Sequence, residues 1–190
     1  MTRTLLSAAL LGAALLASPL AQAKGFKLSS PEIKAGGKIP ASFEFNGFGC
    51  SGENKSPALK WSGAPKDAKS FAVTVYDPDA PTGSGWWHWM VINISADVTE
   101  LPGNAGTPDS STLPKGATQS RIDYGVKAWG GVCPPQGDKP HRYIFTVHAL
   151  KVDKLDVPAD ATAALTGFMI SANSLAKASF TAKYGRKKPK

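Results

Sequence analysis

Only two cysteines, three histidines and 14 acidic residues occur in this chain of 190. Cys50 and Cys133 stand far apart, with no C-x-x-C spacing, so neither a zinc-ribbon nor a thioredoxin-like motif is present. There is no G-x-S-x-G elbow, no H-E-x-x-H and no Walker loop, and the chemistries those motifs carry have no anchor here. No repeat of about 20 to 50 residues marks a solenoid or propeller. Acidic residues are outnumbered by 22 Lys and Arg, for a formal net charge of +8. Much of the excess sits in a basic tail, Gly185-Arg186-Lys187-Lys188-Pro189-Lys190. A nucleic-acid binder needs a basic face interleaved with stacking or groove-reading elements, and none is evident. The tail reads as a solvated, mobile end that aids solubility, with weak attraction to anionic polymers or headgroups as the lesser reading.

What the first residues do have is a leader. Arg3 is followed by about a dozen apolar residues from Leu5 to Leu16, and then by Ala21-Gln22-Ala23. That is the pattern of a secretory signal peptide cut after Ala23. A membrane anchor is disfavoured, because the stretch falls short of the roughly 20 residues a span needs. No later segment is long and apolar enough either. The expectation is a mature, exported, soluble domain from Lys24 to Lys190, periplasmic or secreted. Under oxidising conditions an even pair of cysteines closes into a disulfide, so Cys50 and Cys133, both in Gly-rich loops, are expected to bridge.

Strand signals separated by Pro and Gly dominate the rest. They predict strands at Phe26–Ser29, Ala41–Phe45, Ala58–Trp61, Ser70–Asp77, Trp89–Ile94 and Arg142–Val152. Leu101–Ser120 reads as a long loop that could cover a site. From Asp160, a plausible N-cap, Leu165, Phe168, Met169, Ala172, Leu175 and Ala176 follow a helical period. Together these predict one mostly β domain, a two-sheet sandwich with a helical C-terminal segment.

The chemistry gathers at strand ends. Phe71 to Tyr76 alternates as a half-buried strand and delivers Asp77, where Asp77-Pro78-Asp79-Ala80-Pro81 stops it. Two more apolar runs each follow a histidine, His88 and His141, and Tyr143 is in step with His141 on one face. A carboxylate, two imidazoles and a phenol make a small polar pocket. Asp77 can accept from one imidazole nitrogen, fixing its tautomer, while protonated histidine supplies charge to an anion. Asp79 reads as a turn former and Arg142, alternating away from His141, as half of a structural ion pair. His148 falls on that opposite face as a satisfied histidine. Of Trp86, Trp87 and Trp89, only Trp86 is expected to line the site.

The D-P-D-A-P at Asp77–Pro81, W-x-H-W at Trp86–Trp89, G-G-x-C-P-P-x-G at Gly130–Gly137 and H-R-Y at His141–Tyr143 occur in that order. Together they resemble the phosphatidylethanolamine-binding protein family. The opening G-C-S-G-x-N-x-S-P at Gly49–Pro57 is similar to the bacterial YbhB/YbcL branch, and the leader to its exported YbcL type. The resemblance spans about Phe26 to Tyr184 and implies a Greek-key β-sandwich. It also implies a pocket for phosphate or a phosphate-bearing small molecule or headgroup, lined by Asp77, Ala80, Pro81, Trp86, His88, Cys133, His141 and Tyr143. Two departures stand out. The family's adjacent His pair is Trp87-His88 here, and Cys133 stands where animal members have Gly. Binding to an animal signalling kinase does not carry over.

The expected function is therefore non-enzymatic binding, with no cofactor. The alternative is an exported interaction protein acting by its surface, alone or as a homodimer, on a protease, a kinase pathway or a host cell. No residue names that protein partner. A third reading, a phosphoesterase, would use acid/base chemistry or a metal held by Asp77, His88 and His141.

Overall fold

Period-two burial builds this molecule. The computed structural model describes residues 25–188, so the leader and its cut after Ala23 lie outside the described residues. Ten strands and one helix follow in order: β1 Lys27–Ser29, β2 Asn46–Gly47, β3 Cys50–Ser51, β4 Leu59–Ser62, β5 Ser70–Asp77, β6 Trp86–Ser95, β7 Glu100–Leu101, β8 Thr118–Gln119, β9 His141–Leu150, α1 Ala163–Asn173 and β10 Ser174–Tyr184. Five form a sheet in the order β10-β9-β5-β6-β8, three form a second sheet β1-β4-β7, and β2 and β3 make a small hairpin. The fold is a mostly β sandwich with one helix near its C-terminus.

The central strand β5 is buried almost throughout, because both faces of its sheet are covered. One face packs Val73, Val75, Val91, Phe145 and Phe180 against Leu28, Leu59 and Trp61 of the smaller sheet. The other packs Ala72, Met90, Ile92 and Leu150 against Ile170 of α1. A strand enclosed on both sides reads as a continuous apolar run, and Phe71-Ala72-Val73-Thr74-Val75 is one.

One irregularity positions the site. Val75 pairs with Trp89 and Tyr76 with Trp87, which leaves His88 as an extra residue in β6. Such a bulge turns the following side chains to the other face. Trp89 packs into the inter-sheet core, whereas Trp87 packs toward α1. Both histidines thus lie inside their strands, not ahead of them as expected from the sequence.

Other boundaries also differ. Ala41–Phe43 is a 3-10 turn rather than the start of a strand. Pro40 precedes it and its carbonyl accepts the Phe43 N–H at 3.2 Å, a local closure that leaves no room for a ladder. The helix begins at Ala163, capped by Thr162, whose hydroxyl accepts the Leu165 N–H at 3.2 Å; Asp160 is not the cap. It stops at Asn173, so Leu175 and Ala176 belong to β10, an 11-residue strand that the sequence pattern concealed. The loop 102–117 packs at the edge of the sandwich, with Trp129 N–H donating to Gly106 O at 2.8 Å, and does not reach the pocket.

Candidate ligand-binding pocket

At the ends of β5, β6 and β9 a cavity of about 180 Å3 opens. Asp77 is carried there by β5 and is only 2% exposed. Its Oδ1 accepts the Asp79 N–H at 2.8 Å, closing the Asp-Pro turn, and its Oδ2 accepts from Nδ1 of His141 at 2.8 Å. Nε2 of His141 faces the Asp138 carboxylate at 3.5 Å. Asp79 is more than a turn former. It takes the Arg142 guanidinium at 2.7 Å and the Arg142 N–H at 2.8 Å, and this pairing holds its carboxyl down at about 2. The pair ties the Asp-Pro turn to β9, which keeps Asp77 against His141.

His88 behaves differently from the cationic donor expected. Its Nδ1 donates to the Gly130 carbonyl at 2.7 Å, so the neutral ring keeps its hydrogen on Nδ1 and leaves Nε2 as an acceptor. Burial pushes its pKa down to about 4, against the weaker upward pull of the Gly130 carbonyl and Asp77. At neutral pH this histidine brings a lone pair, not a charge. Tyr143 stands edge-on to it, ring centres 5.1 Å apart. Burial and then the charge of Asp77 raise the Tyr143 phenol far above its usual range. Its hydroxyl lies near that carboxylate yet, like the indole N–H of Trp86, makes no well-formed hydrogen bond. Ala80, Pro81 and Thr82 form one wall of the cavity, and Cys133, Pro134 and Pro135 the other.

Tyr124 was not legible as part of the site. It lies in a turn-rich stretch without periodicity, yet its ring meets Trp86 edge-on at 5.4 Å and stacks on Phe48 at 5.7 Å. Its hydroxyl donates to Gly131 O at 2.9 Å. The Gly130-Gly131 pair follows from this packing. A Cβ on Gly130 would overlap the Tyr124 ring, and one on Gly131 the backbone of Glu44 and Phe45. Phe48, 76% exposed, projects at the rim from the β2–β3 turn. Trp87 never approaches the rim; it packs on Tyr76 at 4.5 Å on the far side of the sheet.

Cys50 and Cys133 form a disulfide that ties the β2–β3 turn to the pocket wall. Behind it runs the start of the basic tail, where Arg186 is held rather than solvated, while Lys187 and Lys188 are exposed as expected. Gly137 N–H donates to Arg186 O at 3.1 Å. The Arg186 side chain, 13% exposed, reaches the Glu44 carboxylate at 3.7 Å, Pro134 O at 3.4 Å, Gly49 O and the sulfur of Cys133. A buried guanidinium with several acceptors outcompetes solvation of a short tail. Arg186→Ala should therefore cost about 1.5–3 kcal/mol in urea unfolding; a loss below about 0.5 kcal/mol, ordinary for a surface change, would show the strap to be passive.

Asp77, His88 and His141 do not converge as a metal set: among the described residues no three His, Cys, Asp or Glu side chains are grouped to hold an ion. The model for the family described as "Phosphatidylethanolamine-binding protein" matches residues 29–185. The chain belongs to this family. The UPF0098 protein YbcL of Escherichia coli is 56% identical over 164 residues, which are 86% of this chain and 90% of YbcL. YbhB of the same organism is 48% identical over 158 residues, 83% of this chain and 99% of its own. The crystal structure of E. coli YbcL, described as a member of the mammalian PEBP family, superposes with a TM-score of 0.84 over 86% of this chain and 99% of that one. In this chain the disulfide braces the pocket wall, and on β6 Trp86 lines the pocket with His88 while Trp87 packs on the far side of the sheet.

Proposed function

We propose that this protein is an exported, non-enzymatic binder whose pocket takes the phosphate group of a small molecule or headgroup in its singly protonated form. The observation that carries the reading is a matched set of unpaired groups. The Trp86 indole N–H is a buried donor without a partner, and the Tyr143 hydroxyl lies beside Asp77 without a well-formed hydrogen bond; a buried donor left unpaired costs about 1–3 kcal/mol. A phosphate oxygen satisfies them. Neutral His88 offers an acceptor at Nε2, and Asp77 repels a second negative charge. A phosphate that keeps one P–OH donates to His88 and carries only one charge. The apolar leader and the disulfide support export.

This reading moves the proton from the protonated histidine expected from the sequence to the ligand. The proton that matters belongs to the ligand, since His88 is neutral down to about 4. Affinity for phosphoethanolamine should fall as pH rises through the second phosphate ionisation, near 6. Tyr143→Phe, which keeps the ring and removes the donor, should weaken binding about tenfold at pH 5.5. Calorimetry on the mature protein between pH 5 and 8 tests both. Equal affinity across that range, or in Tyr143→Phe, would mean that phosphate is not held here.

A further inference from the structure

A second cavity, of about 200 Å3, lies on the opposite face of the five-stranded sheet, under α1. Its floor is the Tyr76–Trp87 ring pair, 4.5 Å apart. Ile144 and Ile170 supply apolar walls, and Gly167 lets the helix approach: a Cβ there would stand 3.2 Å from Trp87 Cζ2. His148 contributes no free polarity. Its Nε2 faces the Thr74 hydroxyl at 3.2 Å and its Nδ1 the Ser174 hydroxyl at 3.3 Å. Among the described residues no carboxylate lines this space. The single charged lining residue is Lys177, exposed on β10 directly across from His148, and among the described residues it joins no ion pair within 4.0 Å.

The geometry points to a second binding site here, for a small monocyclic aromatic carboxylate of the phenylacetate kind. A cavity of about 150 Å3 accepts benzene, so this one has room for a ring and a short substituent. The ring packs against Tyr76 and Trp87 in the offset or edge-on arrangement aromatic pairs favour. The carboxylate meets the Lys177 ammonium at the mouth, where a charge-assisted hydrogen bond is available. A cationic amine finds no counter-charge, and a dianion finds only one cation.

This site is also a neighbour of the first. Tyr76 and Asp77 are consecutive, as are Trp86 and Trp87, and the two pairs face each other across the β5–β6 ladder. Each pair sends one side chain to each cavity. The Tyr76 hydroxyl donates to Ser84 O at 2.7 Å, in the loop that continues from the Ala80–Thr82 wall.

Titrating phenylacetate into the isotopically labelled mature protein tests the assignment by NMR. Saturable shifts are expected at the Trp87 indole and the Gly167 amide. Lys177→Ala should weaken binding about two- to fivefold, as loss of one exposed ion pair does, and 2-phenylethanol, the uncharged analogue, should be weaker to a similar degree. Ile144→Trp, filling the cavity from its half-exposed edge, should abolish phenylacetate binding while phosphoethanolamine still binds. Absence of saturable shifts would overturn the proposal. So would shifts centred on Trp86 and His88, or an unchanged affinity in Lys177→Ala, a surface change that leaves the fold intact.

Discussion

Removing the disulfide by Cys50→Ala and Cys133→Ala together should destabilise the protein by about 4.5 kcal/mol, the chain-entropy value for a closed segment of 83 residues. Against typical domain stabilities of about 5–15 kcal/mol, that removes a large share of the total. In thermal unfolding the double variant should melt roughly 10–15 °C lower. The bridge also holds Phe48 and the Cys133-Pro134-Pro135 wall together, so phosphoethanolamine affinity should drop in the folded variant. A Tm within about 3 °C of the parent would show that Arg186 alone holds these loops and that the bridge adds little.

Acid should unfold this protein through two histidines. Burial lowers His88 to about 4 and His148 to about 4, against about 6.5 in an unfolded chain. Each favours the fold as the neutral ring. That contribution is complete above pH 6.5 and is lost as pH falls through 4, because the unfolded chain takes up protons first. A shift of this size is worth about 3 kcal/mol per ring, so the two together remove on the order of 6 kcal/mol. Urea unfolding at pH 7, 5.5 and 4 should show a progressive loss, steepest below 6. His148→Gln, which keeps hydrogen-bonding capacity without a titrating group, should remove about half of the acid-dependent part. A stability curve flat from pH 7 to 4.5 would contradict the buried neutral state of both rings.

What could be read in the sequence followed from strong local signals. The span Ser70–Asp77 matches β5 residue for residue, because a strand covered on both faces and stopped by Asp-Pro leaves no ambiguity. Asp77, His88, His141 and Tyr143 come from three strands, and the order of motifs brought them together correctly. The face of His88 was hidden, since a bulge is a property of the partner strand's register and not of residues 86–89 alone. β10 was hidden for a different reason. Its inward residues Ala176, Ala178 and Ala182 are small, suit the space beside Phe145, and are equally good helix formers. Tyr124 and Arg186 owe their roles to groups distant in sequence, the Phe48 and Trp86 rings and the Gly49 carbonyl, which no local pattern encodes. The anchoring of Arg186 within the tail was hidden for the same reason, because charge density alone does not reveal a partner such as Glu44.

The strand β10 is where residues 36–39, early in the chain, dock. Gly36 N–H donates to Thr181 O at 2.7 Å, Ile39 N–H to Lys183 O at 2.8 Å, and Lys183 N–H to Gly37 O at 2.8 Å. β1 can pair with β4 as soon as residue 62 exists, but residues 36–39 have no partner strand until residues beyond 180 are made, and β9 stays unpaired on one side for as long. Contacts so distant in sequence close slowly. Completion is postponed until the whole polypeptide exists.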